Sequence, residues 1–283
     1  MNPYEKIIIA LDYPSADKAL ELVSQLRDTP VKYKVGKQLF TAAGPDIVKR
    51  IQDLGGYVFL DLKYKDIGAT MQGAAESASN LGVDLFNVHT MIGLNNMRSA
   101  KAGIAQAAKK AAKKAEEENK PNLFKAPRVI GVTLLTDQDR NNLRLLGINM
   151  TVENYVIRLG ALAKYAGLDG VVCSPRELPA MRYLFGESAT LVTPGIQPAS
   201  MEQNEQKRVM TPGEAIENGA SMMVIGRAIT KVADPVQATD DIAQEIYDAM
   251  PNWGTKTLDA KGKANIEKQL KNLALLMAKY NQK

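Results

Sequence analysis

Residues 6–14 read Lys6-Ile7-Ile8-Ile9-Ala10-Leu11-Asp12-Tyr13-Pro14, a β-branched apolar run that ends on a carboxylate and a proline. In an open dinucleotide-binding sheet the first strand is followed by a glycine-rich turn, because the backbone must approach a pyrophosphate there. Asp12-Tyr13-Pro14 stands in that place. A doubly wound open sheet is therefore the weaker of two α/β readings. The stronger one follows from recurrence: comparable runs return at 31–35, 57–62, 85–88, 128–133, 170–172, 190–193 and 222–225, eight in all. Between them lie stretches of helical periodicity or Ala-rich composition, among them 16–26, 45–54, 68–81, 152–166 and 212–218. Strand then helix, eight times, predicts an α/β fold of the (β/α)8 TIM barrel type. The runs are almost continuously apolar, as strands covered on both faces must be, which argues against an antiparallel sandwich.

The 283 residues, 45% hydrophobic and 24% charged, have a globular composition with enough chain for one large barrel. The net charge of +5 raises the question of a nucleic-acid partner. Residues 251–283 carry seven lysines against Asp259 and Glu267, which leaves the first 250 residues balanced at twenty-nine charges of each sign. The expected division is a catalytic barrel over 1–250 and a C-terminal helical extension over 251–283. In that extension Ile266, Leu270, Leu273, Met277 and Tyr280 recur at helical spacing with Lys elsewhere, so an amphipathic helix covering the barrel or a second subunit is expected. Neither nucleic acid nor membrane is an expected partner. Residues 100–118, rich in Ala and Lys, predict a lengthened, solvated fourth helix that 119–127 breaks. A single Cys173 excludes an internal disulfide and suits a reducing compartment, and with a lone His89 there is no basis for a His-rich metal centre. No signal-peptide pattern is read at the start, and a cytoplasmic protein is expected.

In such a barrel the chemistry sits at the carboxyl ends of the strands. Those ends hold Asp12, Lys34, Asp61 with Lys63, His89, Thr136, Ser174, Gly195 and Gly226-Arg227. Asp61 and Lys63, two apart, are expected on one side of an extended chain. With Lys34 beside them, a Lys–Asp–Lys array would keep Lys63 cationic and make it a positioned proton donor. The loops after strands seven and eight, Thr193-Pro194-Gly195-Ile196 and Ile225-Gly226-Arg227-Ala228, are where phosphate sites gather in this fold. Glycines let N–H groups approach the anion, a following helix N-terminus favours negative charge, and Arg227 can donate two parallel hydrogen bonds. The polar segment 197–207 is a candidate lid. His89 is read as a polar strand-end residue satisfied by its neighbours, and Cys173 as buried packing.

Ala10-Leu11-Asp12, Lys34-Val35-Gly36, Asp61-Leu62-Lys63-Tyr64-Lys65-Asp66-Ile67, Val192-Thr193-Pro194-Gly195-Ile196, Gln206-Lys207-Arg208-Val209 and Val224-Ile225-Gly226-Arg227-Ala228-Ile229-Thr230 together resemble the orotidine 5'-phosphate decarboxylase family, from about residue 5 to about residue 235. The resemblance implies a cofactor-free, metal-free conversion of orotidine 5'-phosphate to UMP. It implies a charged array of Lys34, Asp61, Lys63 and Asp66, and a homodimer in which Asp66, Ile67 and Thr70 enter the partner's site. It further implies that Asp12 and Lys34 hold the ribose, Thr136 contacts the pyrimidine, and Gln206 with Gly226 and Arg227 grips the phosphate. Gln197 stands where many bacterial members have Arg. Mg²⁺-dependent sugar-phosphate enzymes with the same Asp-x-Lys-x-x-Asp motif are the runner-up. They resemble one another in a second-strand Glu that helps hold the metal, whereas this chain has Lys34. A non-catalytic nucleotide-binding barrel is the third reading, opposed by the intact Asp61, Lys63 and Asp66.

Overall fold

A computed structural model describes residues 2–198 and 210–280. Eight parallel strands close into a barrel in sequence order: β1 Ile7–Ala10, β2 Lys32–Gly36, β3 Tyr57–Tyr64, β4 Leu85–His89, β5 Arg128–Val132, β6 Gly170–Val172, β7 Thr190–Thr193 and β8 Met222–Ile225. The seam between first and last strands runs Ile7 to Met223 and Ile9 to Ile225, so the sheet has no open edge and the open-sheet alternative is overturned. Alternation explains the two apolar layers. Ile8, Phe59, Leu85, Ile130, Val192 and Met222 form one cluster inside the barrel, while Ile7 and Ile9 belong to the larger cluster outside the strands.

The outer layer consists of α1 Ala16–Gln25, α2 Lys37–Ala43, α3 Asp46–Asp53, α4 Gly68–Asn80, α5 Leu94–Glu117, α6 Arg140–Leu145, α7 Val152–Tyr165, α8 Leu178–Phe185, α9 Pro212–Glu217, α10 Arg227–Thr230, α11 Pro235–Ala249 and α12 Ala260–Tyr280. Local chemistry sets several starts. Thr211 and Glu214 cap α9 reciprocally, and Asp234 accepts the N–H groups of Val236 and Gln237 in front of α11. The lengthened fourth-unit helix is present as α5, 24 residues long, and it ends at Glu117, two residues before Asn119, whose φ of 48° breaks the helical path. Its first half lies close against α4, where Gly103 leaves no room for a Cβ beside the Gln72 carbonyl. Its last turns are exposed.

The tail helix α12 packs on its own barrel. Ile266 and Leu273 are buried against it, Leu270 and Met277 partly so. Asn265 donates to Asn154 of α7 at 2.9 Å and Tyr183 of α8 donates to Glu267 at 3.0 Å, which identifies the surface it covers. Ahead of it, the Trp253 indole donates to the Ala220 carbonyl and lies 4.8 Å beneath the Arg182 guanidinium. No described helix is long and apolar enough to cross a membrane.

Candidate active site

A cavity of about 730 Å³ opens at the carboxyl ends of the strands. Strands β1 to β3 bring charge to one side of it: Asp12, Lys34, Asp61 and Lys63 all line the wall. Lys34 Nζ lies 2.8 Å from Asp12 Oδ1 and 3.7 Å from Asp61 Oδ2. Lys63 Nζ donates to Asp61 Oδ1 at 2.6 Å. Lys34 and Asp61 are more than nine-tenths buried, a placement that costs several kcal/mol per ion unless opposite charges compensate, as they do here on both sides of Asp61. Gly36 makes the arrangement possible: a Cβ there would lie 2.8 Å from Lys34 Nζ and 3.2 Å from Asp12 Oδ1.

The geometry at Lys63 departs from the extended chain expected of it. Its φ is 53°, and the register between β3 and β4 shifts across Leu60 to Tyr64. The Asp61–Lys63 pairing thus comes from a bulge rather than from strand alternation. Buried Asn87 on β4, which the sequence reading missed, closes this bulge. It accepts the Lys63 N–H at 2.8 Å and donates to Asp61 Oδ1 at 2.6 Å. The available signal was an amide within an otherwise apolar run, two residues before a strand-end His.

His89 is not satisfied as expected. Among the described residues its buried Nδ1 has no hydrogen-bond partner, and burial, followed by the cations of Lys65, Lys37 and Lys63, pushes its pKa down to about 4. It is a neutral imidazole at physiological pH. Cys173 is buried as expected, and desolvation raises its thiol pKa well above the usual value. Ser174 is buried, and its main-chain N–H donates to Glu177 Oε2 at 2.9 Å.

The later strands supply the other side of the cavity. Thr136, Gly195, Gln197, Gly226 and Arg227 all line it, with Val132, Leu134, Val172, Ile196 and Val224 as apolar wall. Gly195 has a φ of 77°, a conformation that glycine takes without a Cβ penalty. After β8 the expected helix is only the single turn α10, so its macrodipole adds little, and the anion-attracting groups are the Arg227 side chain and Lys231, also on the wall. Lys231, four residues beyond Arg227, was not singled out from sequence. Asp66, Ile67 and Thr70 do not line this cavity. They are exposed at the entry to α4, and Asp66 Oδ1 accepts the Ile67 N–H at 2.7 Å. Gln206, and all but the first two residues of the candidate lid, lie outside the described residues.

Comparison with known proteins agrees with this geometry. The model of the orotidine 5'-phosphate decarboxylase / HUMPS family matches residues 5–242. Orotidine 5'-phosphate decarboxylase of Syntrophotalea carbinolica is 46% identical over 246 residues, 87% of this chain and 96% of that protein. The enzyme of the same name from Moorella thermoacetica is also 46% identical, over 87% and 94% of the two chains. The crystal structure of orotidine 5'-phosphate decarboxylase from Lactobacillus acidophilus superposes with a TM-score of 0.72 at 33% identity, covering 85% of this chain and 98% of that one. With a closed barrel, a charged array on its early strands and glycine-bearing loops after its last two, this chain belongs to the orotidine 5'-phosphate decarboxylase / HUMPS family.

Proposed function

We propose that the chain is a carboxy-lyase that converts orotidine 5'-phosphate to UMP and CO₂, the closing step of de novo pyrimidine synthesis, in the cytoplasm. The observation that carries this reading is the single cavity with Asp12, Lys34, Asp61 and Lys63 on one side and Gly195, Gln197, Gly226 and Arg227 on the other. It offers cations to a reacting centre and a second set of donors to a phosphate.

When the C6–carboxylate bond breaks, its electron pair stays on C6 in the plane of the pyrimidine, out of reach of the ring π system. The developing carbanion needs a positive charge close by and then a proton. The Lys63 ammonium supplies both, giving its proton to C6 as CO₂ departs and being reprotonated from water afterwards. Asp61 holds that ammonium at 2.6 Å and faces the substrate carboxylate, whose charge vanishes as CO₂ forms. Asp12 and Lys34 take the ribose hydroxyls and Thr136 meets the pyrimidine. Arg227, with Gly226 and Gln206, holds the phosphate, where binding energy remote from C6 is available to the transition state. Asp66, Ile67 and Thr70 would complete the site of a second copy in a homodimer, in keeping with their exposure at the rim. No cofactor enters the scheme.

The Mg²⁺-dependent alternative is disfavoured by a position rather than by an absence. Lys34 Nζ sits between Asp12 and Asp61, where a divalent ion would have to displace or face an ammonium. Purified protein should consume orotidine 5'-phosphate, followed by its ultraviolet absorbance, in excess EDTA. Absence of turnover there, with Mg²⁺-dependent cleavage of a sugar phosphate instead, would sink the decarboxylase reading.

A further inference from the structure

Asn87 stands in the middle of β4 between Phe86 and Val88, with no part of it exposed. A wholly buried amide costs free energy unless all its polar atoms are engaged, so its partners report what it is for. Leu60 pairs with Phe86 and Tyr64 with Val88, which means that β3 advances four residues while β4 advances two. The surplus residues leave the ladder at Lys63, whose N–H no longer meets a main-chain carbonyl across the seam. Asn87 Oδ1 accepts that N–H at 2.8 Å, and Asn87 Nδ2 donates to Asp61 Oδ1 at 2.6 Å. The amide cannot be reversed, since that would set donor against donor at Lys63 and acceptor against acceptor at Asp61.

We propose that Asn87 is a positioning residue, whose side chain replaces a missing rung between β3 and β4 and thereby aims Lys63 and Asp61 jointly into the cavity. Lys63 occupies the left-handed region at φ 53°, which a non-glycine residue holds only when its surroundings over-determine it. Asn87 is the cross-strand part of those surroundings. The same Asp61 oxygen that accepts from Asn87 also accepts from Lys63 Nζ, so one amide fixes the backbone of the proton donor and the carboxylate that steers its ammonium. This inference rests on the decarboxylase reading.

Two variants test it. Asn87→Leu keeps the volume and removes both hydrogen bonds; kcat on orotidine 5'-phosphate should fall about 100-fold, the scale expected when a reacting group is misplaced by about 1 Å. KM and UMP affinity should stay within about threefold, because the phosphate and ribose contacts lie on other strands. Asn87→Asp adds a pH signature. The charged or titratable groups around position 87 are Asp61 and Lys63 on β3, Lys34 on β2, Asp12 beyond β1, and His89 at the end of β4 with Lys37 and Lys65 near it, whereas its β5 register partner Ile130 is apolar. In the Asn87→Asp variant the protonated carboxyl group can donate its O–H to Asp61 and accept from the Lys63 N–H, as the amide does. Its ionised form sets two carboxylates together, which raises the pair's upper pKa. The kcat of Asn87→Asp relative to wild type should therefore be highest in acid and decline as pH rises through that pKa. Asn87→Leu with kcat within about threefold of wild type would overturn the proposal. So would a ratio for Asn87→Asp that does not change with pH, and this second result decides if the leucine variant fails to fold. Failure of the decarboxylase reading looks different, since the wild-type protein would then be inactive on the substrate.

Discussion

At the scale of single residues, the charged array was legible as a list and not as a geometry. Asp12, Lys34, Asp61 and Lys63 were all placed at strand ends from the apolar runs that precede them, and the cavity contains all four. What the spacing could not reveal is how Asp61 and Lys63 meet, because the bulge that joins them is closed by Asn87, 24 residues away from Lys63 in the chain. His89 illustrates the same limit from the other side. A polar residue at a strand end is ordinarily satisfied, yet its Nδ1 is enclosed without a partner among the described residues, and only three-dimensional burial reveals that its pKa is pushed down to about 4. Under the proposed chemistry Lys63→Ala should lower kcat by about 10⁴-fold or more, because one group is asked both to stabilise the carbanion and to protonate it. Binding of a UMP-like inhibitor, measured by calorimetry, should survive the change. A Lys63→Ala enzyme with near-normal turnover would remove Lys63 from the role of proton donor.

At the scale of elements, periodicity located the eight strands and α1, α3, α4, α7 and α9 to within a residue or two, since each carries its own apolar face, whereas α5 begins at Leu94, ahead of the expected 100–118, and α2, α6, α8 and α11 were not singled out. Length was harder to read. The turn after β8 was expected to open a helix with a useful dipole, and it forms only α10, a single turn held by the Ile229 and Thr230 N–H groups on the Gly226 carbonyl. Under the proposed function, the grip on a phosphate at that end therefore falls to side chains, with Arg227 and Lys231 both on the cavity wall. The entry to α4 is the element on which the proposed homodimer depends. Asp66 and Ile67 are exposed there, Ile67 at 68%, a large apolar side chain standing in solvent beside a carboxylate. If these residues enter a partner's cavity, a heterodimer of Lys63→Ala and Asp66→Ala chains contains one fully wild-type site and one doubly defective one. Such a heterodimer should show about half the activity of the wild-type dimer, by the two-fold symmetry of the arrangement. Purified homodimers of either variant should be nearly inactive, and a heterodimer no better than they are would refute the shared site.

At the scale of the whole molecule, the excess positive charge resides in the last 33 residues, and α12 explains its placement: the apolar stripe rests on α7 and α8 while several lysines face outward. The division into a barrel over 1–250 and an added helix predicts that removing residues 259–283 leaves turnover and KM within about twofold of the full chain. Thermal unfolding should move down by about 2–4 °C for each kcal/mol lost with the buried Ile266 and Leu273 contacts. Loss of turnover in a folded truncated protein would show that the helix supports the site. The closed ladder has a further consequence. Asp12, Lys34, Asp61, Lys63 and Asn87 all belong to the first four strand units, whereas Thr136, Gly195, Gln197, Gly226 and Arg227 belong to the last four. The exposed stretch after α5 lies between these halves, which meet along two seams, β4 with β5 and β8 with β1. Under the proposed chemistry, that stretch separates the length of chain that supplies the reacting groups from the length that supplies the phosphate contacts, so sequence change on one side of it alters the reaction and change on the other alters which phosphorylated molecule is admitted.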